Sequence, residues 1–358
     1  MNQTRSFLLF AWLLVAFLLF MEWSKTPATA TPETKPSVTS TATGVPNKTS
    51  SLPEAPSATL PSSTVPALTM PGSDAKQTVN AVSVETDVLK LQIDPRGATV
   101  VSSELLKYPL EKKAGSANVV LQANNEESFY VAQSGLGALS TTQTNAPTHE
   151  AVFSLENPTA QYRLAAGQNT LEIPFIWNDA AQGLQVRKTL VLTRGSYAIK
   201  VKQEISNTGT KAWQGFAYEQ FMRTQPPAPP KHSMFTNPET FSLMGAAWYS
   251  EQENFEKKPL ADFADGNEKL IDRTNTWISM VQHYFVSAWI PGAKEKRQIS
   301  TSTQQDDGQT KFVINSVSPV FEVAAGKMEL VESTLWVGPK LQEQMEKVEP
   351  TLKLTLDY

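Results

Sequence analysis

Three patterns of apolar and polar residues follow one another along the chain. Residues Phe7 to Met21 (FLLFAWLLVAFLLFM) form an unbroken apolar run, with Arg5 before it and Trp23 just beyond it. With its edges the run offers about 18 residues, enough for a short transmembrane helix. Arg5 and the free amine precede it, so the positive-inside bias puts the N-terminus in the cytoplasm and exports everything after Trp23. A basic start, an apolar stretch and the small-residue site Ala28-Thr29-Ala30 also fit a cleaved signal peptide. The bulky, charged link made by Glu22, Trp23 and Lys25 favours a retained signal anchor.

From Ser24 to about Gln77 the periodicity disappears. Pro, Thr, Ser and Ala dominate this stretch, and such a composition buries too little apolar surface to offset the entropy of ordering. It reads as a flexible tether of about 50 residues whose role is reach. Asn47-Lys48-Thr49 has the glycosylation spacing, but a single sequon in a Thr-rich tract is expected by chance.

Beyond Asn80 the pattern alternates. Leu89, Leu91 and Ile93 interleave with Lys90 and Gln92 before the turn signal Pro95-Arg96-Gly97. Similar runs cover Phe129 to Ala132, Thr170 to Trp177, Gln185 to Leu192, Tyr197 to Ile205 and Lys311 to Val317, each bounded by Gly, Asn, Asp or Pro. Period two with turn residues at the ends predicts strands. Tyr197, Ile199, Val201, Gln203 and Ile205 share one face, which is therefore mostly core. Without helices alternating between the strands a parallel sheet has no crossovers, so the pattern predicts antiparallel sheets packed as a large sandwich. One helix is expected near the end. Gly338-Pro339 puts proline at a first-turn position, and Leu341, Met345 and Val348 recur at helical spacing until Pro350. Its expected role is packing on the sandwich, with partner binding as the alternative. Leu352, Leu354 and Leu356 then alternate with Lys353 and Thr355.

Composition narrows the function classes. The 358 residues carry 31 basic and 35 acidic side chains, a net charge of −4, which argues against a nucleic-acid partner. Hydrophobic residues make up 40% of the chain, enough for a sizeable core. Cysteine is absent, which removes disulfides, thiolate nucleophiles and Cys-ligated zinc together. The three histidines, His149, His232 and His283, have no metal-ligand spacing, so no metal and no cofactor is expected.

Candidate chemistry is sparse. No phosphate-binding glycine loop occurs, Gly135-Leu136-Gly137 being a lone fragment of one. No nucleophile elbow occurs either. His283 lies in the aromatic run Trp277 to Pro291 (WISMVQHYFVSAWIP), which reads as a buried strand pair with the histidine satisfied in its core or rim. Asp262 with Asp265, and Asp306-Asp307 before Gly308, have glycosidase-like proximity in sequence but read as turns. Pro226-Pro227-Ala228-Pro229-Pro230 reads as a rigid loop rather than a docking motif.

Several segments together resemble the YidC family of membrane protein insertases. They are Thr86-Asp87-Val88-Leu89 through Arg96-Gly97, Ala132-Gln133-Ser134-Gly135-Leu136, Arg194-Gly195-Ser196-Tyr197 and Gly245-Ala246-Ala247. Gln282-His283-Tyr284-Phe285 through Ala288-Trp289-Ile290-Pro291 and Ser333-Thr334-Leu335-Trp336-Val337-Gly338-Pro339 complete the set. The resemblance implies a mainly β fold, a β-supersandwich shaped like sugar mutarotases, with a short C-terminal helix. It divides the chain into an anchor (1–23), a linker (24–79), a periplasmic domain (80–337) and a terminal helix leading toward a second span (338–358). It implies a non-enzymatic insertase and chaperone part in the bacterial inner membrane, with Sec translocon subunits and nascent membrane proteins as partners and Phe7 to Met21 in the bilayer. The family's further transmembrane helices are not in these residues, so the chain is expected to be a fragment or a truncated product. Candidate partner or core contacts are Leu341, Met345, Val348, Trp336, Gly338 and Pro339. The competing expectation is an exported carbohydrate-binding or mutarotase-like domain, which would need a histidine and a carboxylate converging in a cleft.

Overall fold

The computed structural model describes residues 52–53, 81–125, 128–139, 145–158, 161–226, 244–306 and 308–356. The apolar run Phe7 to Met21, nearly all of the Pro/Thr/Ser-rich stretch, His232 and most of the polyproline segment lie outside them. Among the described residues no helix is long and apolar enough to cross a membrane.

Twenty strands are formed among the described residues. The first five are β1 (Val82–Glu85), β2 (Leu89–Asp94), β3 (Thr99–Pro109), β4 (Asn118–Asn124) and β5 (Phe129–Ala138). Next come β6 (Ser154–Leu155), β7 (Tyr162–Arg163), β8 (Thr170–Asp179), β9 (Leu184–Thr193) and β10 (Ala198–Asn207). They are followed by β11 (Trp213–Thr224), β12 (Gly245–Ser250), β13 (Asn254–Pro259), β14 (Lys269–Arg273) and β15 (Trp277–Val281). The last are β16 (Phe285–Pro291), β17 (Arg297–Asp306), β18 (Gln309–Val317), β19 (Phe321–Val323) and β20 (Met328–Pro339). A helix, α1 (Gln342–Val348), and a 3-10 turn over Pro350–Thr355 end the described chain.

The strands form two sheets. The first has eleven strands in the order β14-β17-β18-β11-β5-β4-β3-β2-β1-β7, with β19 also on β11. The second has nine, β13-β12-β15-β16-β20-β10-β9-β8-β6. Pairing is antiparallel except between β1 and β7. The alternation predicted for Tyr197 to Ile205 is realised: Ile199, Val201, Gln203 and Ile205 are buried, while Lys200 is exposed and Lys202 and Glu204 are half-buried. Burying one face of an antiparallel sheet fixes register, because a one-residue slip would move every apolar side chain to water.

The central strands are buried on both faces. Every residue of β15 is buried, as is nearly every residue of β11. Along β11, Trp213, Ala217 and Phe221 join the main core, whereas Met222 clusters with Val131 and Val313, and Phe216 and Tyr218 cluster with Val317. Both faces of β11 therefore carry buried apolar clusters.

The expected helix start needs correction. Pro339 is the last residue of β20, opposite Phe285, and α1 begins only at Gln342 with Leu341 at its N-cap. Ladder pairing of β16 with β20 carries the strand through Gly338-Pro339, so the proline marks a strand end. The leucine alternation after Pro350 likewise belongs to a 3-10 turn in which Leu352 and Thr355 are buried and Leu354 is exposed.

Candidate functional site

Two features stand out: the closure of the second sheet by the C-terminal segment, and a polar network between the sheets. In the closure, the Trp277 indole N–H on β15 donates to Thr351 Oγ1 at 2.8 Å. The Lys340 N–H donates to the Tyr284 carbonyl at 3.0 Å, joining the start of the segment to the β15–β16 turn. Met345 and Leu352 are fully buried in one cluster with Trp277, Val286, Ala288 and Trp336, and Leu341 and Val348 pack on that cluster. Gly338 is required by contact: a Cβ there would lie 2.6 Å from the Tyr197 ring. Of the six candidate contacts, Trp336, Gly338, Pro339 and Met345 are thus buried, and Leu341 and Val348 are half-buried.

The network begins at Lys188 on β9. Its ammonium donates to the carbonyls of Gly97 at 2.7 Å and Ser134 at 2.8 Å, both on the first-sheet side. Burial pulls its pKa down to about 7, opposed by the charge of Glu219. Glu219 is itself buried on β11 and bonded to the Arg297 guanidinium. Burial raises the Glu219 pKa, while Arg297, Lys188 and a hydrogen bond from Ser333 on β20 hold it down. Arg297 also donates from Nε to Ser316 Oγ at 2.8 Å and from Nη1 to Glu295 at 3.0 Å. These groups come from both sheets, so the network ties them together. The Trp289 indole N–H, reaching the Gln220 carbonyl at 3.3 Å, makes a further cross-sheet tie.

His149 sits beside this network. Its backbone N–H donates to Tyr218 Oη at 3.0 Å, and its Nδ1 lies 2.8 Å from the same oxygen. One phenolic oxygen thus holds both the amide and the ring of His149. Burial lowers the ring's pKa to about 4, partly offset by Glu150.

The other sequence candidates are scattered. His283 is half-buried in the β15–β16 turn against Tyr284, and its Nδ1 has no hydrogen-bond partner, so it is a rim residue but not a satisfied one. Asp262 and Asp265 belong to a 3-10 turn (Leu260–Asp265) and line an open cleft of about 410 Å³ with Lys257, Lys258 and Glu268. Asp306 closes the β17–β18 hairpin opposite Gln309. A second cleft, of about 300 Å³ at the mouth between the sheets, is walled by Glu295, Arg297, Phe321, Leu330 and Glu332 among others. Neither cleft has a histidine in its wall, and no group of metal-ligating side chains occurs among the described residues.

The quoted motifs prove to be folding devices. Thr86 Oγ1 accepts from the Val88 and Leu89 amides, shaping the β1–β2 turn. Gly97 has φ +68°, and a Cβ there would strike the His149 backbone. Gly195, at φ +70°, donates its N–H to Asp87. Gly135 and Gly137 lie under the rings of Tyr218 and Phe216, so the fragment that looked like half a phosphate loop is a strand cleared for aromatic packing. Sequence reasoning did not find Lys188, Glu219 and Arg297, because each comes from a different strand, far from the others in sequence.

Fold and site together define a mainly β double-sheet domain, held by cross-sheet polar ties and closed by its own C-terminal helix. Residues 81–358 match the family model of the YidC periplasmic domain. The membrane protein insertase YidC of Stenotrophomonas maltophilia (strain R551-3) is 37% identical over 361 residues, covering 100% of this chain and 61% of that protein. Its counterpart in Xanthomonas oryzae pv. oryzae (strain PXO99A) is 38% identical over 373 residues, covering 100% and 62%. The chain belongs to the YidC family, and it spans about three fifths of the length of these curated relatives. Among solved structures, a galactose mutarotase-like protein from Lactobacillus casei overlaps with a TM-score of 0.47 at 9% identity, covering 72% of this chain and 99% of that one. A galactose mutarotase related enzyme from Lactobacillus acidophilus gives 0.45 at 12% identity, covering 72% and 97%.

Proposed function

We propose that this chain is the anchor, tether and periplasmic domain of an inner-membrane insertase and chaperone. It assists insertion and folding of membrane proteins, alone or with the Sec translocon. The observation that carries the reading is the family match over residues 81–358 together with relatives named as insertases. In this reading Phe7 to Met21 is a retained signal anchor, residues 24–79 give reach, and the double-sheet domain offers contact surfaces to translocon subunits and nascent chains. Its polar groups support a scaffold rather than a reaction centre, because Lys188 is held by backbone carbonyls, Glu219 by Arg297 and His149 by Tyr218.

Photo-crosslinking tests the proposal. A reactive side chain placed singly at exposed Val120, Val152, Ile271 or Met328, in cells making the chain as part of the whole insertase, should give adducts with translocon subunits or with nascent membrane proteins. No such adduct from any of the four positions would count against a contact role for these faces.

A further inference from the structure

The β3–β4 hairpin and the β15–β16 turn form a surface of another character. Leu110, at the end of β3, is 65% exposed, and Tyr284 in the turn is 56% exposed. Residues beside them are in contact. Tyr108 meets the Phe285 ring edge-on at 5.9 Å and the Tyr197 ring at 6.3 Å, while His283 lies against Tyr284 at 4.0 Å. Around Leu110 the hairpin carries exposed Lys107, Lys112 and Lys113 against a single carboxylate, Glu111, which pairs with Lys113. The β17–β18 hairpin is separated from β3 by β11, β5 and β4 in the order of the first sheet.

An exposed leucine, amphipathic rings and an excess of lysine match the interface of an anionic bilayer. Tyr and His rings have an apolar body and a polar tip suited to the headgroup layer, and lysines near such a surface are drawn to acidic lipids. We propose that this face, centred on Leu110, Tyr108 and Tyr284, docks the domain on the surface of an anionic lipid bilayer. The inference rests on the reading of the chain as membrane-anchored and adds which face meets the lipid. The occupant is argued from charge complementarity: three lysines outnumber one paired glutamate, which disfavours a basic partner.

The absence of cysteine makes the test direct. The full chain with a single cysteine at Leu110, Tyr284 or, as control, Gln309 is labelled with an environment-sensitive dye. Each form is reconstituted with vesicles of phosphatidylcholine alone or with one third phosphatidylglycerol. Expected with acidic lipid are a blue shift and quenching by bromine-substituted acyl chains at positions 110 and 284, with position 309 open to aqueous iodide. K112E/K113E should return position 110 to iodide access at least several-fold. Equal iodide access at all three positions, in chains that float with the vesicles, would overturn the docking face while leaving the anchor intact. Shielding of positions 110 and 284 without lipid would overturn it in favour of a protein partner. Failure to float would overturn both docking and the membrane reading.

Discussion

Single residues in the network make stability depend on pH in a defined way. The His149 pKa is about 4 in the fold against 6.5 for a free ring, so between these values the unfolded chain binds more protons. The stabilisation is therefore complete above about 6.5 and is lost as pH falls toward 4, a difference on the order of 3 kcal/mol. Lys188, held at about 7 against 10.5, is also a depressed base and makes stability rise between pH 7 and 10. Glu219 works the other way above pH 4.5, because burial raises its pKa. Urea unfolding at pH 4.5 and 7 should show a smaller stability difference in His149→Gln than in the parent; an equal difference would contradict the assignment. The buried pair gives a second test. Arg297→Met takes the ion-pair partner from the buried Glu219, which should cost about 3–5 kcal/mol, and adding Glu219→Leu should recover much of it. If the double variant is as unstable as the single one, the pair is not the source of the loss.

At the scale of elements, much was legible. Alternation located β2, β8, β9, β10 and β18, and helical spacing located α1, because a sheet or helix with one apolar face prints its period on the sequence. What hid from view were features made by two elements at once. β11 buries both faces, so its sequence does not alternate, and the network residues lie far apart in the chain; β15 and β16, by contrast, were legible as the buried strand pair of the aromatic run Trp277 to Pro291. Pro339 misled because the β16 ladder overrode a local helix-start signal. The candidate contacts Leu341, Met345 and Val348 were legible as one helical stripe, but only the tertiary structure shows that stripe turned onto its own sheet. Met345→Ala should therefore lower stability by about 2–4 kcal/mol, the range for truncating a buried methionine, while Leu354→Ser on the exposed side of the next turn should change it by less than about 0.5 kcal/mol. Thermal or urea unfolding of both variants decides this; similar small effects would mean the C-terminal segment does not close the sheet.

At the scale of the whole molecule, a domain stabilised by internal cross-sheet ties belongs to the YidC family. His149 is locked to Tyr218, and the two clefts described have no histidine in their walls. In the proposed role this chain supplies the anchor and contact domain of an insertase. Exchanging it for the aligned three fifths of the Stenotrophomonas maltophilia relative tests that claim most directly, in cells depleted of their own insertase. The chimera should restore protease-protected insertion of a newly made single-span client to near the parental level. A chimera that accumulates normally and keeps a protease-resistant domain, yet leaves the client uninserted, would contradict the account.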